Sequence, residues 1–482
     1  MRKSHQWMYQ RVLESDPSCN GRFFTGVLTT GIYCLPSCHA RKPRSENVRF
    51  FPSCEAARAA GLRPCRKCHP DDFERGSDPV LETIEAVVAE VRRAPGEFRD
   101  ARSVVRRSGF GTTRAFELFR QHFHATPADL LARARVEAAK GLLLAGDRTI
   151  LEIAGDVGFE SSSAFHERFR QSTGMTPAAY RGLRRARAFT VALPPGYPVS
   201  YFRRSLSRDP HSVTERLEGS IYHTAVRLGP TPAVITLTLG AASVEGSVEP
   251  LGKVPAGGRP LLAQAHEFAS GLLGLDQDCE GFAKLARRLG LGRLVAGRPG
   301  LRLAGTPTPF DGLVWSIIGQ QINFPFACLL RRRLFESLGR QAGAGLVVPP
   351  GPEEIAAAKP SELRSWQFSR QKIEYLTSAC ALVADGTLDL ERMRQGSATR
   401  AERDLLAVRG LGPWSVNYLM MRSLGFADCV PLGDTGVSTG LKSLLRLEER
   451  PDVDATRRLM SVFSPYRSLA TAHLWQFNQP VP

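Results

Sequence analysis

No stretch of this sequence approaches the about 18 uninterrupted apolar residues that a membrane helix requires. Its first residues, MRKSHQWMYQRVLESD, are polar where a secretory leader carries an apolar segment. Lacking both, the chain is expected in the cytoplasm, with no membrane partner and with thiols reduced rather than paired as disulfides. Acidic residues are in deficit: 47 Asp and Glu face 64 Lys and Arg, leaving a net charge of +17 and a pI near 9.8. Such an excess points to a polyanionic partner, nucleic acid by default, against the plainer alternative of a basic soluble surface. The composition is otherwise globular, with 43% hydrophobic and 23% charged residues. A length of 482 residues exceeds one core and suggests roughly three or four domains.

Cysteine is thin along most of the chain. Cys279, Cys328, Cys380 and Cys429 stand singly among apolar neighbours and read as small core residues. The other six crowd between Cys19 and Cys68. Four of these form two close pairs, Cys34 with Cys38 in TTGIYCLPSC and Cys65 with Cys68 in RPCRKC. Pairs about thirty residues apart suit tetrahedral zinc, because each delivers two thiolates from one turn. Cys19 and Cys54 have no matching partner and stay outside that set. A four-thiolate zinc is ordinarily structural, with every position filled.

Residues 1–76 are rich in Cys, Pro and Arg and poor in helical periodicity, whereas 80–187 carry apolar residues at three- and four-residue spacing. An internal repeat lies in the second stretch: GFGTTRAFELFRQHFHATPADLL from Gly109 resembles GFESSSAFHERFRQSTGMTPAAY from Gly158. Each copy reads as a glycine turn, a polar helix start, an aromatic-studded helix and a Thr-Pro helix entrance. Two helix-turn-helix units about fifty residues apart would set two recognition helices on one face of DNA. LPPGYP at 193–198 marks a linker or entry turn, and the alternation to about 255 gives the strands of a small sheet. After the break GKVPAGGRP at 252–260, residues 261–482 are helical and form the largest unit.

That last unit contains RGLGPW, in which Gly410 and Gly412 would make a tight hairpin between two helices. Such a turn can offer backbone amides to a DNA phosphate, or can be a plain helix connector. About twenty residues on, Asp434 sits among small residues at a helix start, and SPYRSLATAHLW supplies further aromatics. Taken alone, Asp434 could be only a helix N-cap and the aromatics only core.

Three resemblances sharpen these readings. Residues 5–72, with TTGIYCLPSCHAR, ENVRFF and AAGLRPCRKCHPD, are similar to the N-terminal domain of Ada-type methylation-response proteins. The resemblance implies that one zinc thiolate accepts a methyl group from a DNA phosphotriester: Cys34 matches the acceptor, and Cys38, Cys65 and Cys68 the other ligands. Losing one thiolate charge near DNA phosphates would then tighten promoter binding. The repeat resembles the AraC-type DNA-binding domain, with recognition helices beginning near Thr112 and Ser161. By that resemblance Arg114 and Ser163 could face bases, while Arg120, Arg168 and Arg170 suit phosphates or are simply solvated.

From about residue 195 onward the chain resembles the helix-hairpin-helix glycosylase superfamily, and within it the AlkA-type alkylbase glycosylases. Asp434 matches the catalytic aspartate, and Trp414, Tyr418 and Trp475 fall on the base-pocket aromatics. Electron-rich rings favour a flipped cationic base, and a carboxylate stabilises the oxocarbenium that forms as it departs. Superfamily members that nick the strand carry a lysine where this chain has Trp414, which implies a monofunctional hydrolytic enzyme. Gln321 in GQQIN stands where the family inserts an apolar wedge, which changes how the vacated stack is filled. The Pro-Cys-His-Arg-Val motif of the alkylguanine-transferase domain does not occur, so direct repair of O6-methylguanine is not expected.

The expected architecture is multidomain α+β. It comprises a small zinc domain over 1–76, an all-α double helix-turn-helix domain over 80–187, a small antiparallel-sheet α+β domain over 188–260 and an all-α helix-hairpin-helix glycosylase domain over 261–482. The expected function is an adaptive alkylation response: phosphotriester methyl transfer, switched transcriptional activation and excision of purines such as 3-methyladenine. The alternatives are a regulator whose glycosylase part only binds DNA, and a glycosylase whose N-terminal parts are anchors around a structural zinc. The resemblances imply double-stranded DNA, alkylated or promoter, as partner, with RNA polymerase as the target of activation. They also imply a monomeric chain associated with the nucleoid.

Overall fold

The computed structural model describes residues 4–38, 40–255 and 257–479. Backbone contacts separate two units, Met1–Val88 and Ala89–Pro482. In the first, helix α1 (His5–Leu13) starts where Ser4 accepts a hydrogen bond from the Trp7 amide at 3.2 Å, a role that serine favours. Strands β1 (Phe24–Val27), β2 (Ile32–Cys34), β3 (Val48–Phe51) and β4 (Arg63–Pro64) form a sheet in the order β3-β1-β2-β4. The parallel β2–β4 pairing sets Tyr33 beside Pro64 and so brings the Cys34 and Cys65 ends together. Gly26 is required within β1, because a Cβ there would lie 2.5 Å from both Leu62 and Phe51. Helices α2 (Cys54–Ala59) and α3 (Pro70–Glu74) close a core that includes Phe24, Tyr33, Phe51 and Cys54. Cys19 is buried in a second small core with Val12 and Phe23. Helix α4 (Pro79–Arg93) carries the chain onward.

The second unit opens with two helix pairs of like design. Helices α5 (Ala101–Ser108) and α6 (Thr112–Phe123) form one, and α8 (Ile150–Asp156) and α9 (Ser162–Thr173) the other, joined by α7 (Pro127–Ala145) and followed by α10 (Pro177–Gly182). Each pair turns through a glycine at positive φ, Gly109 at 72° and Gly158 at 92°, which a side chain would strain. Thr126 and Thr176 cap α7 and α10 with proline at the next position, as the repeat predicts.

Strands β5 (Ala188–Ala192), β6 (Glu215–Glu218), β7 (Ile221–Leu228), β8 (Thr231–Leu239) and β9 (Ser243–Pro250) form an antiparallel sheet ordered β5-β9-β8-β7-β6, with α11 (Val199–Leu206) after β5. One continuous core takes Phe165, Phe169 and Tyr180 from the preceding helices, Tyr222 and Ile235 from this sheet, and Phe268 from α12 (Leu261–Leu272).

The rest is predominantly helical. Helices α13 (Cys279–Arg288), α14 (Pro309–Ile318) and α15 (Phe324–Leu338) precede the short α16 (Pro352–Ala356) and α17 (Pro360–Ser365). Then come α18 (Arg370–Ala384), α19 (Leu390–Gln395), α20 (Ala398–Ala407) and α21 (Pro413–Arg422), and finally α22 (Thr435–Leu445), α23 (Val453–Ser461) and α24 (Arg467–Gln476). One element goes beyond the helical expectation: β10 (Arg340–Gly343) and β11 (Leu346–Val348) make a hairpin. Its turn places Gly343, Ala344 and Gly345 at positive φ, and Val347 and Val348 supply the β-branched strand that follows. Two cores organise these helices, one around Leu313, Leu376 and Val416 and the other around Phe282, Leu441 and Phe463. Trp475 packs against both. The four single cysteines are buried, as expected. Among the described residues no helix is long and apolar enough to cross a membrane.

Candidate functional site

Cys34 ends β2 and Cys65 follows β4, so the two turns after these strands deliver both cysteine pairs to one place. The sulfurs of Cys34, Cys38, Cys65 and Cys68 all lie within 4.8 Å of one another, with Cys38 and Cys65 at 4.0 Å. Four sulfurs at about 2.3 Å from a tetrahedral zinc are about 3.8 Å apart, so the donor set fits the ion. Hydrogen bonds shared among the sulfurs drive their proton affinities apart, Cys38 and Cys65 downward and Cys34 and Cys68 upward. A divalent cation removes the need for any of those protons. The Leu35 and Lys67 amides donate to the sulfurs of Cys68 and Cys65, each at 3.4 Å. Lys42 is anchored alongside, donating to the Cys38 carbonyl at 2.7 Å and to Ser15 Oγ at 2.6 Å.

In the second unit the sequence places α6 and α9 as recognition helices, and they begin at Thr112 and Ser162, the latter capped by Ser161. Ser163, Arg168 and Arg170 are exposed on α9, and Arg120 on α6. Arg114 is half-buried and pairs with Glu117 at 3.2 Å. The far end of α6 rests on α20, where His122 Nδ1 and Thr399 Oγ1 are 2.9 Å apart.

The hairpin Arg409–Gly412 joins α20 to α21. Gly410 adopts φ 94°, and a Cβ there would lie 2.2 Å from the Tyr375 ring, so both backbone and packing demand glycine. Gly412 caps α21 without a side-chain hydrogen bond, and a Cβ there would meet nothing within 4 Å. Gln321 is exposed at φ 57°, between α14 and α15.

Asp434 caps α22, its Oδ1 accepting from the Val437 amide at 2.9 Å. The same oxygen accepts from Trp475 Nε1 at 2.8 Å, and Oδ2 accepts from Trp414 Nε1 at 3.2 Å. Capping thus does not compete with a site role, because two indoles aim the carboxylate while it caps. Trp414 and Tyr418, one turn apart on α21, stack with centroids 5.2 Å apart and planes 18° off parallel. Trp475 leans toward Tyr418 at 6.3 Å, and Arg422 lies over the Tyr418 ring at 5.7 Å. Gly436 is what lets Trp475 in: a Cβ there would lie 2.7 Å from its ring. The result is a half-buried carboxylate in an aromatic niche at the seam of two cores.

Sequence reasoning missed the groups that hold these parts in place. Gln320 donates to the Gly410 carbonyl at 2.8 Å and to Ser415 Oγ at 3.0 Å, locking the hairpin from the turn that follows α14. Lys372 donates to the carbonyls of Ile317, Ile318 and Gln320, capping the end of that helix. Asn417 Oδ1 accepts from the Val430 amide at 3.2 Å, tying the approach to Asp434 to α21.

A thiolate metal centre, paired helix-turn-helix units and a hairpin beside an aromatic carboxylate niche together define a DNA-binding repair protein. Three family models match in chain order: the metal binding domain of Ada over residues 7–71, a helix-turn-helix domain over 104–182, and the HhH-GPD superfamily base excision DNA repair protein over 314–465. The probable bifunctional transcriptional activator/DNA repair enzyme AlkA of Mycobacterium tuberculosis is 30% identical across 97% of this chain and 95% of its own length. The DNA-3-methyladenine glycosylase of Bacillus subtilis is 32% identical over 42% of this chain and 68% of its own. The solved 3-methyladenine DNA-glycosylase from Archaeoglobus fulgidus superposes with a TM-score of 0.52 over 60% of this chain and 98% of that one. At 20% identity that likeness is one of fold. The chain belongs to the family of bifunctional transcriptional activator/DNA repair enzymes, with a zinc-binding Ada domain, a helix-turn-helix domain and an alkylation-type DNA glycosylase domain.

Proposed function

We propose that this protein removes alkylated purines by monofunctional hydrolysis, accepts methyl groups from DNA phosphotriesters on Cys34, and activates promoters once methylated. The excision reading rests above all on one observation: the Asp434 carboxylate is held by the Trp414 and Trp475 indoles beside the Tyr418 face. A flipped cationic base would stack on those rings. As its glycosidic C–N bond breaks, the base keeps the electron pair and positive charge grows on the sugar. Asp434 would stabilise that charge and direct water to the anomeric carbon, with the water's proton passing to solvent. Trp414, standing where strand-nicking relatives place a lysine, supports an intact abasic product rather than a Schiff base. Gly410, Gly412 and Gln321 would grip the strand and fill the gap left by the base.

In the N-terminal unit, bound zinc supplies the charge that keeps four sulfurs as thiolates at neutral pH. Cys34 Sγ would attack the methyl carbon of a phosphotriester, forming an S–C bond as the methyl–oxygen bond breaks and the phosphate regains its negative charge. Conversion of a thiolate to a thioether removes one negative charge from the DNA-facing cluster, which supports tighter promoter binding. Arg114 and Ser163 would then read bases, and Arg168 and Arg170 phosphates, with RNA polymerase recruited to the bound monomer on the nucleoid.

The test is methylated duplex DNA incubated with the full chain. Free 3-methyladenine released by the wild type and lost on Asp434→Asn supports excision, and labelled methyl recovered on Cys34 but not on Cys34→Ser supports transfer. Full methyl transfer with no base release would instead make the C-terminal domain a DNA-binding module.

A further inference from the structure

The two copies of the internal repeat differ in the residue that takes the left-handed position closing the aromatic-studded helix. Helix α9 ends at Gly174, with φ 66°, and α6 ends at the equivalent His124, with φ 52°. Both positions precede the Thr-Pro helix entrance, and both donate their amide to the carbonyl four residues back. Glycine takes this conformation freely, whereas histidine adopts it with strain. Strain kept at one copy and avoided at the other points to a task for the side chain.

The ring reaches across to the glycosylase helices. Its Nδ1 accepts the Asp428 backbone amide at 3.1 Å, and it makes a T-shaped contact with the Phe426 ring, centroids 5.6 Å and planes 77° apart. Burial pulls the ring's pKa down to about 4, so it is neutral and Nδ1 is free to accept. Asp428 is itself clamped. Burial raises its carboxyl pKa, but Arg467 more than offsets this through Nε at 2.7 Å and Nη2 at 3.0 Å, and Ser464 adds a bond at 2.8 Å. The next residues are pinned in turn: the Cys429 amide to Ser468 Oγ at 3.1 Å and the Val430 amide to Asn417. This short segment, Phe426 to Gly433, delivers Asp434. Its anchors stand on the two helices that carry the niche aromatics, α21 and α24, on Ser464 in the turn before α24, and on His124 of the helix-turn-helix domain.

We infer that His124 is a positioning residue for base excision: the helix-turn-helix domain, through this one acceptor, holds the segment that presents Asp434. The inference rests on the reading of Asp434 given above. It implies that excision by this chain depends on an intact first helix-turn-helix unit, and that whatever shifts the end of α6 on DNA also shifts Asp434.

The test uses the full chain and three variants. His124→Gly gives α6 the ending that α9 already has, so the fold is retained while the acceptor is lost. His124→Asn keeps an acceptor, Oδ1, at the place of Nδ1, on a residue that tolerates the left-handed region. Expected for His124→Gly are single-turnover release of 3-methyladenine from methylated duplex slowed about tenfold, the equivalent of one lost hydrogen bond, with affinity for undamaged duplex unchanged. Amide exchange at Asp428 should quicken in the same variant, and His124→Asn should restore both rate and protection. Wild-type excision and a protected Asp428 amide in His124→Gly would overturn the inference, as would equal loss in His124→Asn. If the wild type and Asp434→Asn alike release no base, the excision reading itself fails, and exchange at Asp428 still decides whether His124 holds the segment.

Discussion

Replacing Asp434 with asparagine separates capping from chemistry, because the two roles respond to different properties of the side chain. Asparagine caps helices about as well as aspartate, and its single oxygen can keep the bonds from Val437 and Trp475 that Oδ1 now accepts at 2.9 and 2.8 Å. The amide NH2 then faces Trp414 Nε1, now 3.2 Å from Oδ2, donor against donor. Losing one hydrogen bond to a charged acceptor at a half-exposed site costs about 1–2 kcal/mol, or only a few degrees in the melting temperature of so large a unit. The rate should respond far more. A unit charge about 4 Å from a developing positive charge is worth about 4 kcal/mol at an effective dielectric of about 20, which is about a thousandfold in rate. Single-turnover base release and thermal melting of the same samples read the two effects separately. A rate loss below about tenfold, or a rate loss that merely tracks unfolding, would refute the assignment of Asp434 to the chemistry.

Gly410→Ala forces a Cβ to 2.2 Å from the Tyr375 ring at φ 94°, so it should destabilise the hairpin by about 1–3 kcal/mol and weaken duplex binding equally across sequences in a fluorescence titration. Chelation should unfold Met1–Val88 and spare Ala89–Pro482, because structural zinc is worth roughly 10–16 kcal/mol, as much as a small domain's whole stability; limited proteolysis would show which unit is cut. Acid should destabilise the second unit through His124, His266 and His473, whose pKa values burial pushes down to about 4. His266 and His473 each have a ring nitrogen that is buried with no partner among the described residues, so protonation strands a charge. With folded values below the unfolded 6.5, the unfolded chain binds more protons between the two. Stability is therefore complete above about pH 6.5 and lost progressively toward pH 4, by the order of 2–3 kcal/mol per histidine. Denaturant melts across that range check both sign and window.

What the sequence made legible was local. Two thiolates per turn, a glycine before a recognition helix, Thr-Pro at a helix entrance and a Gly-x-Gly hairpin are all specified by neighbours within a few residues, and each stands where its motif lies. Asp434 was legible for the same reason, since an N-cap announces itself by the small residues after it. The supports were not legible, because their partners are remote in the chain. Gln320 meets Gly410 across 90 residues, and His124 meets Asp428 across 304. Neither pair leaves a spacing or a pattern in a single sequence. The core shared by α9, α10, the five-stranded sheet and α12 was equally hidden. Each segment shows only that it has an apolar face, and not which other face covers it.

One measurement bears most directly on the claim that sensor and repair enzyme act within a single chain. Duplex DNA carrying labelled methyl groups on both phosphates and purines is incubated with the wild type, Cys34→Ser and Asp434→Asn, and label is followed on protein and as free base. The wild type should yield both products, Cys34→Ser only free alkylpurine, and Asp434→Asn only protein-bound methyl. Free base released undiminished by Asp434→Asn, or methyl bound undiminished by Cys34→Ser, would contradict it.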